Sequence, residues 1–257
     1  MKKLSVSAIV PAYNEEKTIG NVLGALIRSE LLDEVICVND GSTDNTLEKI
    51  LEYKDEVVIV DIEENKGKGN ALAEGIKIAK GDVIIFLDAD LLNLSDTHLE
   101  ALLDPIINGG YRAVLGYLVG KSGFSLASAI TGQRVYYRED LLPHLEEMRG
   151  TRFGVEVFLN GLFSKKETRK VPLHGLSAPY KYEKNPQTAL NEYIKEGVEI
   201  ARIIGSKRVL PKSDFKILQE LEGIADLKAF EDKIREISDT EVQDILEKYI
   251  LRYVRKG

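Results

Sequence analysis

Gly81-Asp82-Val83-Ile84-Ile85-Phe86-Leu87-Asp88-Ala89-Asp90-Leu91 is the stretch on which the rest of the chain can be ordered. The apolar run after Gly81 reads as a strand buried on both faces. It closes on two carboxylates, and ionised carboxylates away from water are costly unless paired or bound to a cation. Residues i and i+2 of a strand share a face, so Asp88 and Asp90 are expected to converge on one small volume. Two hard oxygen donors just past a strand end suit Mg2+ or Mn2+, with phosphate oxygens and water completing the shell. The competing reading is a plain polar strand end whose acid only caps the next helix.

Working outward, the same unit recurs. Val6-Ser7-Ala8-Ile9-Val10 reads as a first strand stopped by Pro11, which cannot donate to a ladder. A helix from about Lys17 to Ser29 follows, with Ile19, Val22, Leu23, Leu26 and Ile27 at helical spacing. A strand from Glu34 to Asn39 ends in Asp40-Gly41-Ser42-Thr43-Asp44, where Ser42 to Asp44 can cap the next helix. A third strand, Val57 to Ile62, precedes Asn65-Lys66-Gly67-Lys68-Gly69-Asn70-Ala71 and a helix to Lys80. This β-α-β-α-β-α-β order with short links predicts a parallel sheet covered on both faces. Ligands of such sheets bind outside the carboxyl ends of the strands, where all four of these loops would gather. Asp40 offers a carboxylate to a base or ribose, Lys66 and Lys68 offer positive charge to phosphates, and Asp88 and Asp90 offer a cation site. Taken singly, Tyr13 reads as packing, Asp40 as a turn former and Lys68 as a solvated charge; their position on one edge favours a joint site. Neither a P-loop nor a dinucleotide-binding glycine pattern is present.

Composition narrows the partners. The chain has 257 residues with a net charge of −7, which does not suggest nucleic acid. No apolar run is long enough to span a bilayer, and the N-terminus leads straight into a strand, so a cytoplasmic protein is expected. Cys37, the single cysteine, excludes an internal disulfide and reads as a small core residue.

The ordered motifs Val10-Pro11-Ala12-Tyr13-Asn14-Glu15-Glu16, Asn39-Asp40-Gly41-Ser42-Thr43-Asp44, Asn65 to Ala71 and Asp88-Ala89-Asp90 resemble those of GT-A glycosyltransferases of family 2 type. The resemblance covers roughly residues 4 to 180. It implies an α/β GT-A fold with a mostly parallel central sheet flanked by helices, and a nucleoside-diphosphate sugar as donor. It implies donor contacts at Pro11, Ala12, Tyr13, Glu15, Asp40, Ser42, Lys68, Asp88 and Ala89, with Asp88 near the ribose and Asp90 on the divalent ion. Asn39 departs from the aspartate many relatives carry there.

In the second half, Ser95 to Asn108 reads as a capped helix and Tyr111 to Val119 as a strand. Gly120 to Phe124 forms a loop with two glycines. Gly132-Gln133-Arg134, leading into Arg138-Glu139-Asp140-Leu141-Leu142, resembles the acceptor side of the glucosyl-3-phosphoglycerate synthase and mannosylglycerate synthase group. If helical, Arg134 and Arg138 would share a face, either for an anionic acceptor or as a salt-bridged surface. Arg152-Phe153-Gly154-Val155-Glu156-Val157 resembles that group's Tyr-Gly-Val-Glu segment. Glu156, an acid in an apolar setting, could orient the acceptor hydroxyl, act as general base in an inverting reaction, or pair structurally with Arg134 or Arg152. His174 is the candidate third metal ligand implied by the resemblance, although it precedes the usual position. His98 and His144 read as helix-surface residues.

Residues 1–185 are therefore expected to form the catalytic domain, divided at 118/119 into nucleotide-sugar and acceptor halves, and residues 186–257 a helical extension. Its stripes, Leu190, Ile194, Gly197, Ala201 and Ile204, then Leu227, Phe230, Ile234 and Ile237, suit core or homodimer packing. Ser238 and Glu241 form a capping-box pattern. Arg252, Arg255 and Lys256 offer a weak peripheral membrane contact. The expected reaction is metal-dependent transfer of a hexose from a UDP- or GDP-sugar to a small anionic acceptor such as a phosphoglycerate. Transfer to a lipid-linked (polyprenyl-phosphate) acceptor and a non-catalytic sugar-nucleotide-binding module stay open as alternatives.

Overall fold

The computed structural model describes residues 4–119, 131–151, 154–179 and, with gaps, 191–247. The Gly120 to Phe124 loop, Arg152, Phe153, Leu190, Ile204 and the basic end at Arg252, Arg255 and Lys256 lie outside the described residues. Two compact units are present, Met1–Ala178 and Pro179–Gly257, dividing a little earlier than the expected boundary after residue 185.

The first unit is a seven-stranded sheet. Its strands are β1 (Val6–Ala12), β2 (Glu34–Asp40), β3 (Val58–Ile62), β4 (Val83–Phe86), β5 (Ala113–Leu118), β6 (Arg134–Tyr137) and β7 (Thr168–Leu173). They lie in the order β3-β2-β1-β4-β6-β5-β7. Among them only β6 runs antiparallel, to β4 and β5 alike. The α/β expectation of a mostly parallel sheet is met.

Alternation along the strands builds a core on each face. Ala8 and Val10 of β1 join one cluster with Leu23 and Leu26 of α1 (Ile19–Leu26) and with Leu99 and Leu102. Ile9 joins the other, with Phe86, Tyr136 and Leu72 and Ile76 of α3 (Lys68–Ile78). α2 (Thr46–Leu51) connects β2 to β3, and α4 (Asp96–Ile107) connects β4 to β5. α5 (Arg138–Leu141), α6 (Leu145–Arg149) and α7 (Val155–Asn160) follow β6. Because β1 to β4 are parallel, their carboxyl ends share one edge. The chain steps from β1 to β2 and β3 on one side and returns to β4 on the other, which makes the β1/β4 gap a topological switch point.

Several local expectations are corrected. β1 does not stop before Pro11 but runs to Ala12, with Pro11 opposite Val38. Pairing with β4 ends at Ile9 and Phe86, so Pro11 has a neighbouring strand on the β2 side only and its missing N–H leaves no gap in that ladder. Asp88 and Asp90 are not strand residues. β4 ends at Phe86, and both acids lie in the turn beyond it, so the shared-face argument does not apply. Arg134 and Arg138 do not share a helix face: Arg134 opens β6 and Arg138 opens α5. His98 is not a surface residue. It is 7% exposed; its Nδ1 accepts from the Ser95 backbone N–H at 3.1 Å, which leaves Nε2–H to donate to the His174 carbonyl at 2.9 Å.

In the second unit, α8 (Lys212–Leu221), α9 (Leu227–Ile234) and α10 (Thr240–Leu246) enclose Leu218, Phe230, Ile234 and Val242 together with Ile194, Val198 and Ala201. The expected Ser238 capping box is replaced. The Ser238 hydroxyl donates to Asp214 at 2.9 Å, and Asp239 caps α10 by accepting from the Val242 N–H at 3.0 Å. Among the described residues no helix is long and apolar enough to cross a membrane.

Candidate active site

The loops at the carboxyl edge are tied to one another. Asn14 (φ 56°) donates its N–H to Ser42 Oγ at 3.1 Å, and its side-chain carbonyl accepts from the Thr43 N–H at 2.8 Å. The Glu15 N–H donates to Thr46 Oγ1 at 2.7 Å. Gly41 has φ +69°, and a Cβ there would lie 2.4 Å from the Asn65 nitrogen, so the β2 and β3 loops touch backbone to backbone. This bracing holds Tyr13 outward at 43% exposure, a free aromatic face at the mouth of the β1 loop. Ala12 is buried beneath it and Pro11 and Ser42 are half-buried.

Asp40 is 3% exposed, and its carboxylate accepts the Lys66 and Gly67 N–H groups at 3.0 and 2.8 Å. Asp40 thus braces the loop that delivers Lys68, at the N-terminus of α3. The Asn39 departure also has a physical reason. Its amide donates to Asp61 on β3 at 2.7 Å, where an aspartate would face a second carboxylate.

The centre of the edge is Lys68. Its ammonium lies 2.6 Å from Asp88 and 2.7 Å from Glu156, with side-chain exposures of 21%, 29% and 7%. Burial alone would lower the Lys68 pKa, but the facing Asp88 and Glu156 carboxylates outweigh it and raise it well above the ordinary lysine value. Glu156 sits in the first turn of α7, where the helix dipole also favours a negative charge. Its ion-pair partner is therefore Lys68, and Arg134 is engaged elsewhere. Arg134 is 1% exposed and donates to the Thr131 carbonyl at 2.5 Å, Tyr136 Oη at 3.0 Å and Asn160 at 2.9 Å. It braces the segment before β6 against α7.

Antiparallel β6 supplies what sequence reasoning missed. Phe86 pairs with Arg134, so the residues before Arg134 run alongside the residues after Phe86. Gln133 thereby donates to Asp88 Oδ2 at 2.8 Å. Gly132 lies so close that a Cβ would come within 2.1 Å of Asp88 Oδ1. Within Gly132-Gln133-Arg134, it is the glycine and the glutamine that meet Asp88.

Asp90 is half-buried in the same turn, next to buried Ala89. His174 is exposed in the turn after β7, and the described residues contain no group of three His, Cys, Asp or Glu side chains able to cage a metal. His174 therefore does not complete a three-ligand set with Asp88 and Asp90. Its turn is held near the Asp90 loop through its backbone, by the His98 bond and by the Leu92–Ser177 bridge. A hard divalent cation still fits: Mg2+ typically takes one or two carboxylates and completes its shell with substrate phosphates and water.

A mostly parallel α/β sheet with a switch point and an acidic turn beside a half-buried lysine fits the GT-A class of folds. Residues 7–161 match the Glycosyl transferase family 2 model, and the chain belongs to that family. The chain is 39% identical over 114 residues to poly-beta-1,6-N-acetyl-D-glucosamine synthase of Staphylococcus epidermidis, a match covering 43% of this chain. That match spans only 28% of the length of the relative. Among solved structures, glucosyl-3-phosphoglycerate synthase of Mycobacterium tuberculosis with Mn2+, UDP-glucose and phosphoglyceric acid superposes at a TM-score of 0.60. Its identity is 21%, with 79% of this chain and 80% of that one covered. The same enzyme with Mg2+ and UDP gives a TM-score of 0.62 at 22% identity, covering 82% of each chain. These two likenesses concern the fold.

Proposed function

We propose that the chain transfers a hexose from a nucleoside-diphosphate sugar, UDP- or GDP-linked, to a small anionic acceptor such as a phosphoglycerate. The observation that carries the proposal is Lys68 held between Asp88 and Glu156 at the switch-point edge. A lysine paired with two carboxylates can turn to a diphosphate without first being desolvated, because burial has already stripped much of its water. Tyr13 and Ser42 line the side expected for the base and ribose, with Pro11, Ala12 and Glu15 shaping the β1 loop. Asp88 is held in place for the ribose. Glu156 faces the sugar, where it can orient the donor or the attacking hydroxyl. Asp90 is the residue that would hold Mg2+ or Mn2+, with His174 as a candidate further ligand from the turn that the Leu92–Ser177 bridge holds near the Asp90 loop. The cation, when bound, stabilises the charge gathering on the departing diphosphate.

Support for this acceptor class comes from the fold likeness to an enzyme solved with phosphoglyceric acid. The test is a thermal-shift screen of UDP-, GDP- and ADP-glucose with Mn2+, followed by an acceptor screen with the donor that binds. Donor binding raises the midpoint in proportion to affinity and concentration. Transfer to a phosphoglycerate supports the proposal. Transfer to a polyprenyl phosphate in liposomes and to no soluble acceptor would replace it with the lipid-linked reading.

A further inference from the structure

Lys68 and Gln133 both grip Asp88, and their grips differ in kind. Lys68 holds Oδ1 through a charged side chain that also serves Glu156. Gln133 holds Oδ2 through a neutral amide. Gln133 is 2% exposed, and its own carbonyl meets the Thr131 hydroxyl at 2.6 Å. That hydroxyl shares its one proton between this carbonyl and the Gly116 carbonyl of β5, and the Gln133 N–H leans on Thr131 Oγ1 at 3.3 Å. The amide orientation follows from this: beside the Lys68 ammonium, both Asp88 oxygens are acceptors, so the NH2 end of Gln133 must face Asp88 and its carbonyl end Thr131. Gly132 closes the arrangement, since no side chain fits between it and the carboxylate.

We infer that Gln133, locked by Thr131, is a positioning residue that keeps Asp88 aimed at the donor when Lys68 turns to the incoming diphosphate. The inference rests on the donor reading above. Lys68 is shared among anions, and a diphosphate would compete directly with Asp88 and Glu156 for it. A carboxylate held by the lysine alone would then be released into other rotamers at the moment it is needed. The amide carries no charge and answers to the sheet, not to the ligand, so its grip persists through binding. Gln133 and Thr131 reach the site only because β6 is antiparallel. Their role is thus built into the one reversed strand among those described.

The experiment measures donor affinity by calorimetry, using whichever of UDP-, GDP- or ADP-glucose the wild type binds with Mn2+, and donor and acceptor KM by initial rates. Gln133→Met keeps the volume and removes the donor group; Thr131→Val removes the hydroxyl, and Thr131→Ser restores it. We expect Gln133→Met and Thr131→Val to weaken donor binding about tenfold or more, with acceptor KM within about twofold and Thr131→Ser close to wild type. Donor binding within about twofold of wild type in Gln133→Met overturns the inference, as does a Thr131→Ser variant no better than Thr131→Val. Should Gln133→Met not fold, the two Thr131 variants decide alone. A wild-type chain that binds none of the three nucleotide sugars overturns the donor reading itself, an outcome distinct from variants that bind as the wild type does.

Discussion

The Lys68 ammonium lies 2.7 Å from the Glu156 carboxylate, joining the first turn of α3 to the first turn of α7 across the carboxyl edge of the sheet. Both side chains are largely buried, so neither charge can be left alone cheaply.

Removing the lysine should therefore cost stability as well as binding. Lys68→Met leaves Asp88 and Glu156 facing each other, and a loss of about 3 kcal/mol is expected from breaking a buried pair. The double variant Lys68→Met/Glu156→Gln should recover a large part of it, which chemical denaturation in a double-mutant cycle will measure. Because the folded Lys68 pKa is raised, its contribution is full below the unfolded value of about 10.4 and fades only as pH rises through the folded value. The difference between wild type and Lys68→Met should thus be flat from about pH 6 to 9 on this account.

Asn39 donates to Asp61, and Asn39→Asp would set two carboxylates at that spacing. The expected loss at neutral pH is about 1 kcal/mol, because Asp61 is exposed and the pair is partly screened. Repulsion raises the folded carboxyl pKa above its unfolded value, so the variant gains on the wild type as pH falls through about 4 to 5. Urea titrations at two pH values would show the gap narrowing, and Asp61→Asn should close it at neutral pH.

Asp214 is fully buried in the second unit and accepts from the Asp239 N–H at 2.8 Å and the Ser238 N–H at 3.1 Å. Burial would raise its pKa, but these amides and the Ser238 and Ser213 hydroxyls hold it below the usual range. Asp214→Asn turns a donor toward those donors and should cost about 2 to 3 kcal/mol near neutral pH. A depressed pKa stabilises above the unfolded value of about 3.9 and loses effect as pH falls through the folded one. The gap between variant and wild type should accordingly shrink in acid, as followed by circular dichroism.

Much of the fold was legible because its signals are local. Val83 to Phe86 is apolar and bounded by Gly81, and it forms a buried strand. Ile19, Val22, Leu23 and Leu26 carry a helical period, and all are buried. The donor-side loops could be grouped because parallel strands put their ends on one edge. What failed was non-local or too short to show a period. Arg134-Val135-Tyr136-Tyr137 spans four residues and runs into Arg138-Glu139-Asp140-Leu141, whose helix signal extended backward over it. Gln133 meets a partner 45 residues away through an antiparallel register that no spacing announces. The burial of His98 is hidden in the sequence because its bond to the His174 carbonyl, 76 residues away, depends on tertiary placement. The bonds of Asp40 to the Lys66 and Gly67 N–H groups, 26 and 27 residues away, are likewise announced by no spacing.

Donor cleavage at the turn that holds Asp90 is tested by the release of nucleoside diphosphate from wild type and Asp90→Ala with Mn2+ and acceptor. Steady release is expected from the wild type, none detectable from Asp90→Ala, with thermal midpoints within about 3 °C of each other. Full activity in Asp90→Ala would contradict it.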